Sequence, residues 1–223
     1  MFGSAVKRGA LIVFEGCDRC GKTTQCKKLV DVLKSEGKNV EFMRFPDGST
    51  HIGKMCREYL ECGIELEDHA IHLLFAANRW EAAPKMREKL MSGTTLIVDR
   101  YSFSGVAFSA VKPGMELAWC KHAEAGLPRP DLVLYLDLSA EAAAKRGSYG
   151  DERYEKVGLQ GRVRETYRRL FDERWSVVDA DTSVEGLHTR LRAVVVTTME
   201  RSHHQPLARL WTDVAADDGD HAS

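Results

Sequence analysis

Ala10-Leu11-Ile12-Val13-Phe14-Glu15-Gly16-Cys17-Asp18-Arg19-Cys20-Gly21-Lys22-Thr23 runs from an apolar, β-branched stretch into a glycine-bounded loop. From Thr24 onward the apolar residues recur at helical spacing as far as Glu36. The last eight residues of the quoted stretch fit G-x-x-x-x-G-K-[ST], with the strand before it and the helix after it that this motif requires. Gly16 and Gly21 let the backbone wrap a phosphate, so that amide N–H groups and a helix N-terminus point at the anion. Lys22 sets a point charge on the β- and γ-phosphates, and the Thr23 hydroxyl can join a Mg²⁺ shell. ATP with Mg²⁺ is therefore the expected ligand pair, held by Gly16, Cys17, Asp18, Arg19, Cys20, Gly21, Lys22, Thr23 and Thr24.

Outward from this loop, four more apolar runs read as strands: Val40–Phe45, Thr94–Asp99, Asp131–Asp137 and Trp175–Asp179. Helical spacing marks Leu66–Met91 and Gly158–Arg174. Strands alternating with helices imply an α/β fold with a parallel sheet covered on both faces. Continuous runs such as Leu132-Val-Leu-Tyr-Leu136 suit strands buried on both sides. No repeat and no Gly/Ser/Pro-rich linker divides the chain, so residues 1–212 read as one domain. Residues 213–223 are polar and acidic and read as a frayed tail.

Composition narrows the function classes. With 223 residues, 43% hydrophobic and 29% charged, the chain can bury a sizeable core and is not disordered in composition. A formal net charge of −1 argues against bulk nucleic-acid binding, which needs a strongly basic surface. No apolar run approaches 18 residues, and Met1–Arg8 offers no signal core, so a cytoplasmic protein away from the membrane is expected. The six cysteines read as free thiols. Cys17-x-x-Cys20 resembles half a zinc site, but no second Cys/His pair stands at ligand spacing. In a loop that favours anions their thiolates could be stabilised and reactive; equally, both could be buried and inert.

Asp99 closes the strand Thr94–Asp99, where a carboxylate faces the loop and can hold Mg²⁺ beside Thr23. Lys22 and Asp99 are thus candidate catalytic residues. Three readings remain for the acceptor. A guanine-nucleotide switch would usually carry Asn-Lys-x-Asp on a late strand, and the chain has none. A deoxynucleoside kinase would need a general base for a sugar hydroxyl. A monophosphate is already an anion and needs cations, and Arg19, Arg79, Arg100, Arg146 and Arg153 all fall in motif-bearing segments.

Several motifs occur in one order: Glu15-Gly16-x-Asp18-Arg19-x-Gly21-Lys22-Thr23-Thr24-Gln25, Arg44-Phe45-Pro46, Leu74-Phe75-x-x-Asn78-Arg79-Trp80-Glu81, and Asp99-Arg100-Tyr101-x-x-Ser104-Gly105-x-Ala107-Phe108. Gly126-Leu-Pro-x-Pro-Asp131 and Lys145-Arg146-Gly147-x-x-Gly150-x-Glu152-Arg153-Tyr154-Glu155 follow. Together, from about Arg8 to Trp211, they resemble the thymidylate kinases in their eukaryotic form. The resemblance implies a three-layer P-loop kinase fold with a five-stranded parallel sheet. It also implies phosphoryl transfer from ATP-Mg²⁺ to thymidine monophosphate, and a homodimer paired through helices.

It further implies residue roles. Asp18 accepts from the deoxyribose 3′-hydroxyl, Phe75 stacks on thymine, and Arg79, on the same helix face, donates to its O4. Arg100 binds the acceptor phosphate, with Phe45, Ser104, Gly105 and Phe108 completing the pocket and Tyr154 packing under the sugar. Arg19 neutralises the transferring phosphoryl group. Gly147–Glu155 forms a lid, and Arg146 stacks on adenine; a basic residue closing a helix is the alternative for Arg146. Trp80, Trp119, Trp175 and Trp211 read as packing residues. One departure stands out. The family usually carries Phe-Pro-x-Arg, with that arginine on the acceptor phosphate, whereas here Phe45-Pro46-Asp47-Gly48 offers no side chain. Backbone amides at the Gly48 turn, or Arg57 from the following helix, are the candidate replacements.

Overall fold

A computed structural model describes residues 7–139, 142–143, 153–154 and 157–212. Five strands, β1 (Leu11–Glu15), β2 (Val40–Arg44), β3 (Thr95–Asp99), β4 (Leu132–Asp137) and β5 (Trp175–Asp179), form one sheet in the order β2-β3-β1-β4-β5. Every pairing is parallel, with Val13 beside Val98 on one side and Val133 on the other. The expected strands stand within a residue or two of their bounds.

Helices cover both faces, because successive side chains of each strand point to opposite sides. Leu11, Val13, Leu96, Val98, Val133 and Tyr135 face one core. That core is closed by α3 (Asp68–Met91), α4 (Ser102–Ser109), α5 (Leu117–His122) and α6 (Val157–Arg168), through residues such as Met86, Val106, Cys120 and Val163. Ile12, Phe14, Ile97, Leu134 and Leu136 face the other, closed by α1 (Lys22–Ser35) and α7 (Val184–Ser202) through Leu29, Leu33, Leu187 and Leu191. Each fully buried Leu, Ile or Val contributes about 1.5–3 kcal/mol, so β1, buried along its whole length, anchors the loop that follows it. A small satellite core joins α2 (His51–Leu60) to α3 through Cys56, Tyr59, Ile71 and Phe75. Trp175 and Trp211 pack edge-on against Phe103, as packing residues should.

Three helix bounds differ from expectation by two residues or more, the first being the start of α3, expected at Leu66 and found at Asp68. The helix expected to begin at Thr24 begins inside the loop motif, at Lys22. The helix expected to reach Arg174 ends at Arg168. There Leu170 and Phe171 turn back on Tyr167 and Arg168, and the Asp172 side chain accepts from Arg174 N at 2.9 Å. A local side-chain bond of this kind competes with helix continuation. Arg146, most of the lid at 147–155 and the acidic tail at 213–223 lie outside the described residues, Arg153 and Tyr154 of the lid excepted.

Candidate active site

The sheet order reverses at β1, whose neighbours β3 and β4 lead the chain to opposite edges. Ligands of open α/β sheets bind at the carboxyl ends of strands at such a point. A cleft of about 1030 Å³ opens there. Its lining runs from Ala180, Thr182 and Val184 past Arg19–Gln25 and Asp99–Arg100 to Phe75, Arg79 and Tyr154.

The loop after β1 has the geometry its glycines imply. Gly16 has φ 137° and Gly21 φ 97°, a region other residues rarely enter. A Cβ on Gly16 would stand 2.6 Å from Leu136 O and 2.9 Å from Cys20 Sγ. Among the described residues no side chain caps the N-terminus of α1, which leaves its first amides for a ligand in the cleft. Lys22 Nζ folds over the loop, donating to Gly16 O at 3.0 Å and Cys17 O at 2.8 Å. Arg19 lines the cleft in a left-handed conformation, φ 63°.

Thr23 Oγ1 donates to Asp99 Oδ2 at 2.5 Å, and Asp99 Oδ1 is buried with no hydrogen-bond partner among the described residues. Asp99 itself is 1% exposed. A buried carboxylate oxygen left orphaned next to a threonine hydroxyl fits a hard divalent cation with oxygen ligands.

Next along the chain, Arg100 has φ 65°, and its guanidinium turns back to pair with Asp18. It also donates to Ser104 Oγ at 3.1 Å and lies 5.4 Å from the Phe108 ring centroid. Burial alone would lower the Arg100 pKa, but Asp18, Tyr167, Asp99 and Glu15 together outweigh it, Asp18 foremost, and the pKa rises above the usual arginine value. Burial would raise that of Asp18, but Arg100, Lys22 and a bond from Gln160 hold it below the usual range. Beneath the pair, Glu15 is fully buried, and its carboxylate accepts from Tyr101 N, Ser104 N, Ser104 Oγ and Tyr167 OH at 2.6–3.1 Å. Glu15 thereby fixes the first turn of α4, which carries Ser104 and Gly105. Burial pushes its pKa up, opposed by the Ser104 bond and the Arg100 charge.

At the far end Phe75 and Arg79 share one face of α3, as their spacing of four requires. Arg79 is 2% exposed and forms a two-pronged pair with Glu124, Nε to Oε2 at 2.8 Å and Nη2 to Oε1. Burial lowers the Arg79 pKa, and Glu124 more than restores it. Gly105 is bare because a Cβ there would stand 2.4 Å from Arg79 Nη2. Phe45 is buried beneath the cleft, 5.8 Å from the Tyr101 ring. Tyr154 packs on Phe108 at 5.2 Å.

Sequence reasoning missed Gln160, Glu124 and the 180–184 loop. Gln160 brackets Asp18, accepting from its backbone N at 3.2 Å and donating to Oδ2 at 2.6 Å and to Tyr154 O at 2.8 Å. Its place on the inward face of α6 was the available signal. Gln25 Nε2 ties α1 to Val184 O at 2.9 Å. Arg153, counted among the motif arginines, turns away from the cleft: it pairs with Glu65 and donates to Tyr59 O at 2.8 Å and Ile64 O at 3.0 Å. Nor is the Cys17 thiol activated. Cys17 and Cys20 are buried, and burial, with Cys20 beside it, pushes the Cys17 pKa up to about 11.

Residues 14–191 match the family model described as thymidylate kinase. The chain is 52% identical to a thymidylate kinase of Arabidopsis thaliana over 94% of this chain and 80% of that one. It is 48% identical to that of Homo sapiens over 93% of this chain and 99% of that one. A solved thymidylate kinase structure from Candida albicans superposes with a TM-score of 0.82 at 32% identity, covering 91% of this chain and 98% of that one.

Proposed function

Because the chain belongs to the thymidylate kinase family and phosphorylates thymidine monophosphate with ATP as donor, we propose a division of labour along its cleft. The 180–184 loop, with Arg146, flanks adenine. Gly16–Thr24 cradles the donor phosphates, Phe75 and Arg79 read thymine, and Asp18 with Tyr154 takes the deoxyribose. Support comes chiefly from the Arg79–Glu124 pair. Both ends of one carboxylate hold one edge of the guanidinium, which aims its remaining donors at the cleft beside Phe75. A reader fixed in this way can reward a carbonyl acceptor and penalise an amine.

In the reaction an oxygen of the acceptor phosphate attacks the γ-phosphorus. The bond to the β–γ bridging oxygen breaks, and ADP leaves with that electron pair. No proton need be removed from an acceptor that is already ionised, so the chain supplies position and charge. Lys22 and Arg19 face the charge shared between donor and transferring group, and an arginine in cis is worth about a thousandfold or more in turnover. Arg100 draws the acceptor phosphate in line, and Ser104 and Glu15 keep it there. Thr23 and Asp99 would hold Mg²⁺, whose charge offsets that of the donor phosphates. Residues 1–212 act as one domain with a lid at 147–155. Exposed Met55 on α2 and Leu73 on α3 support a homodimer paired through these helices.

A coupled ADP-release assay across the common nucleoside monophosphates tests the acceptor assignment. Loss of the single thymine methyl contact makes deoxyuridine monophosphate roughly ten- to two-hundredfold poorer. Deoxycytidine monophosphate, which sets an amine against Arg79, is poorer still. Equal turnover of the cytosine nucleotide removes Arg79 from the reading.

A further inference from the structure

We propose that Arg57 binds the acceptor phosphate, and that Gly48 is bare to make room for its guanidinium. The proposal rests on the thymidine monophosphate kinase reading above. A Cβ built on Gly48 would stand 2.0 Å from Arg57 Nη2, 2.6 Å from its Cζ and 2.8 Å from its Nε. A side chain at 48 and the guanidinium of 57 therefore compete for one volume. Gly48 is not among the glycines with positive φ, so its backbone does not demand glycine. What the position demands is empty space.

That space cannot drift, because the turn around it is pinned on both sides. Asp47 N donates to Asn78 Oδ1 on α3 at 2.7 Å. Thr50 Oγ1 caps α2 by accepting from Gly53 N at 3.0 Å. A Cβ on Gly53 would reach 1.7 Å from Asp47 O, so turn and helix touch backbone to backbone. Arg57, almost two turns further along α2, lies over this fixed turn and lines the same cleft as Arg100 and Phe75.

Charge pairing singles it out further. Arg79 is held by Glu124, Arg100 by Asp18, and Arg44 lies 3.9 Å from Asp99. Arg57 makes no ion pair or side-chain hydrogen bond among the described residues. An acceptor phosphate carries close to two negative charges, and Arg100 is already half-neutralised by Asp18. A second guanidinium with a free fork supplies the missing charge and two oxygen contacts. A cation in the last turn of α2 would also suit the helix dipole. The dipole, however, asks only for proximity to the helix end; it does not ask for a bare residue under the guanidinium.

Calorimetry with thymidine monophosphate and with thymidine separates phosphate binding from base and sugar binding. Arg57→Ala should weaken the monophosphate by roughly ten- to a hundredfold, the loss of one charge-assisted contact, and leave thymidine within about twofold. Arg57→Lys should recover part of the loss, since it keeps the charge without the fork. In the Arg57→Ala background, Gly48→Arg should restore at least about tenfold, because it fills the vacated volume from the other side. A loss under about threefold, or an equal loss for thymidine, overturns the phosphate contact. A double variant as weak as Arg57→Ala overturns the shared volume. Wild-type protein that binds thymidine monophosphate no better than thymidine overturns the kinase reading along with it.

Discussion

Thr23 and Asp99 are joined by a 2.5 Å hydrogen bond from the hydroxyl to Oδ2, while the other oxygen of Asp99 is buried without a partner among the described residues. The bond links the first turn of α1 to the end of β3, so two distant segments present their oxygens together. Removing either oxygen should loosen the cation rather than the nucleotide. Asp99→Asn and Thr23→Val should each raise the Mg²⁺ needed for half-maximal rate by about 10–100-fold. Titrating Mg²⁺ at saturating ATP measures it; an unchanged requirement in both variants moves the metal elsewhere.

Glu124 is fully buried against Arg79 and is the partner that compensates its charge and aims it. Glu124→Gln leaves a guanidinium uncompensated in the core, at a cost of about 3–5 kcal/mol. In a chain of this size that lowers Tm by about 6–20 °C. Glu124→Asp retains the charge but shortens the reach, so it should keep most of the stability and raise the KM for thymidine monophosphate. A thermal melt and acceptor kinetics on both variants distinguish the two effects, and an unshifted melt for Glu124→Gln counts against a buried pair.

How much of this was legible in the sequence follows from sequence distance. The phosphate loop and its strand and helix were readable because spacing within a dozen residues carries the geometry. Phe75 and Arg79 were readable as a pair for the same reason, lying one helical turn apart. Glu124 and Gln160 were not, since they meet Arg79 and Asp18 from far along the chain and only the packed sheet brings them together. The early end of α6 turned on the Asp172 side chain, which the apolar periodicity does not register. Gly48 was visible as a departure, but the φ that would have explained it is ordinary; a neighbour's side chain explains it instead.

Cys17 and Cys20 stand in the phosphate loop yet should be poor nucleophiles. Cys17 packs against Tyr135 OH and Gln160 O, and a thiol pushed up to about 11 is almost wholly protonated at pH 7.5. Cys62 is the exposed thiol among the six. Brief treatment with iodoacetamide should label Cys62 first, with Cys17 and Cys20 unmodified whether or not ATP is present. Peptide mapping reads the order directly. Faster labelling of a loop thiol, suppressed by ATP, would falsify the buried assignment.

His72 gives the fold a pH dependence whose sign can be worked out. Its Nε2 faces Cys120 O at 3.0 Å, and a carbonyl only accepts, so Nε2 carries the proton. Nδ1 then accepts from the Ser109 hydroxyl at 2.8 Å, and the buried ring is neutral. Burial lowers its pKa; Arg79 adds to this, and Glu124 with the Cys120 and Gly105 backbone bonds opposes it. In the unfolded chain the ring titrates near 6.5. Above that value neither state binds the proton and stability is full. Below it the unfolded chain takes up a proton that the folded one resists, so stability falls. Between pH 7.5 and 5.5 this one site can remove at most about 1.4 kcal/mol. His188 and His203 shift the same way, burial again being the largest cause. Urea unfolding at the two pH values should therefore show a smaller drop for His72→Gln than for wild type. Identical drops would place the proton uptake at another group.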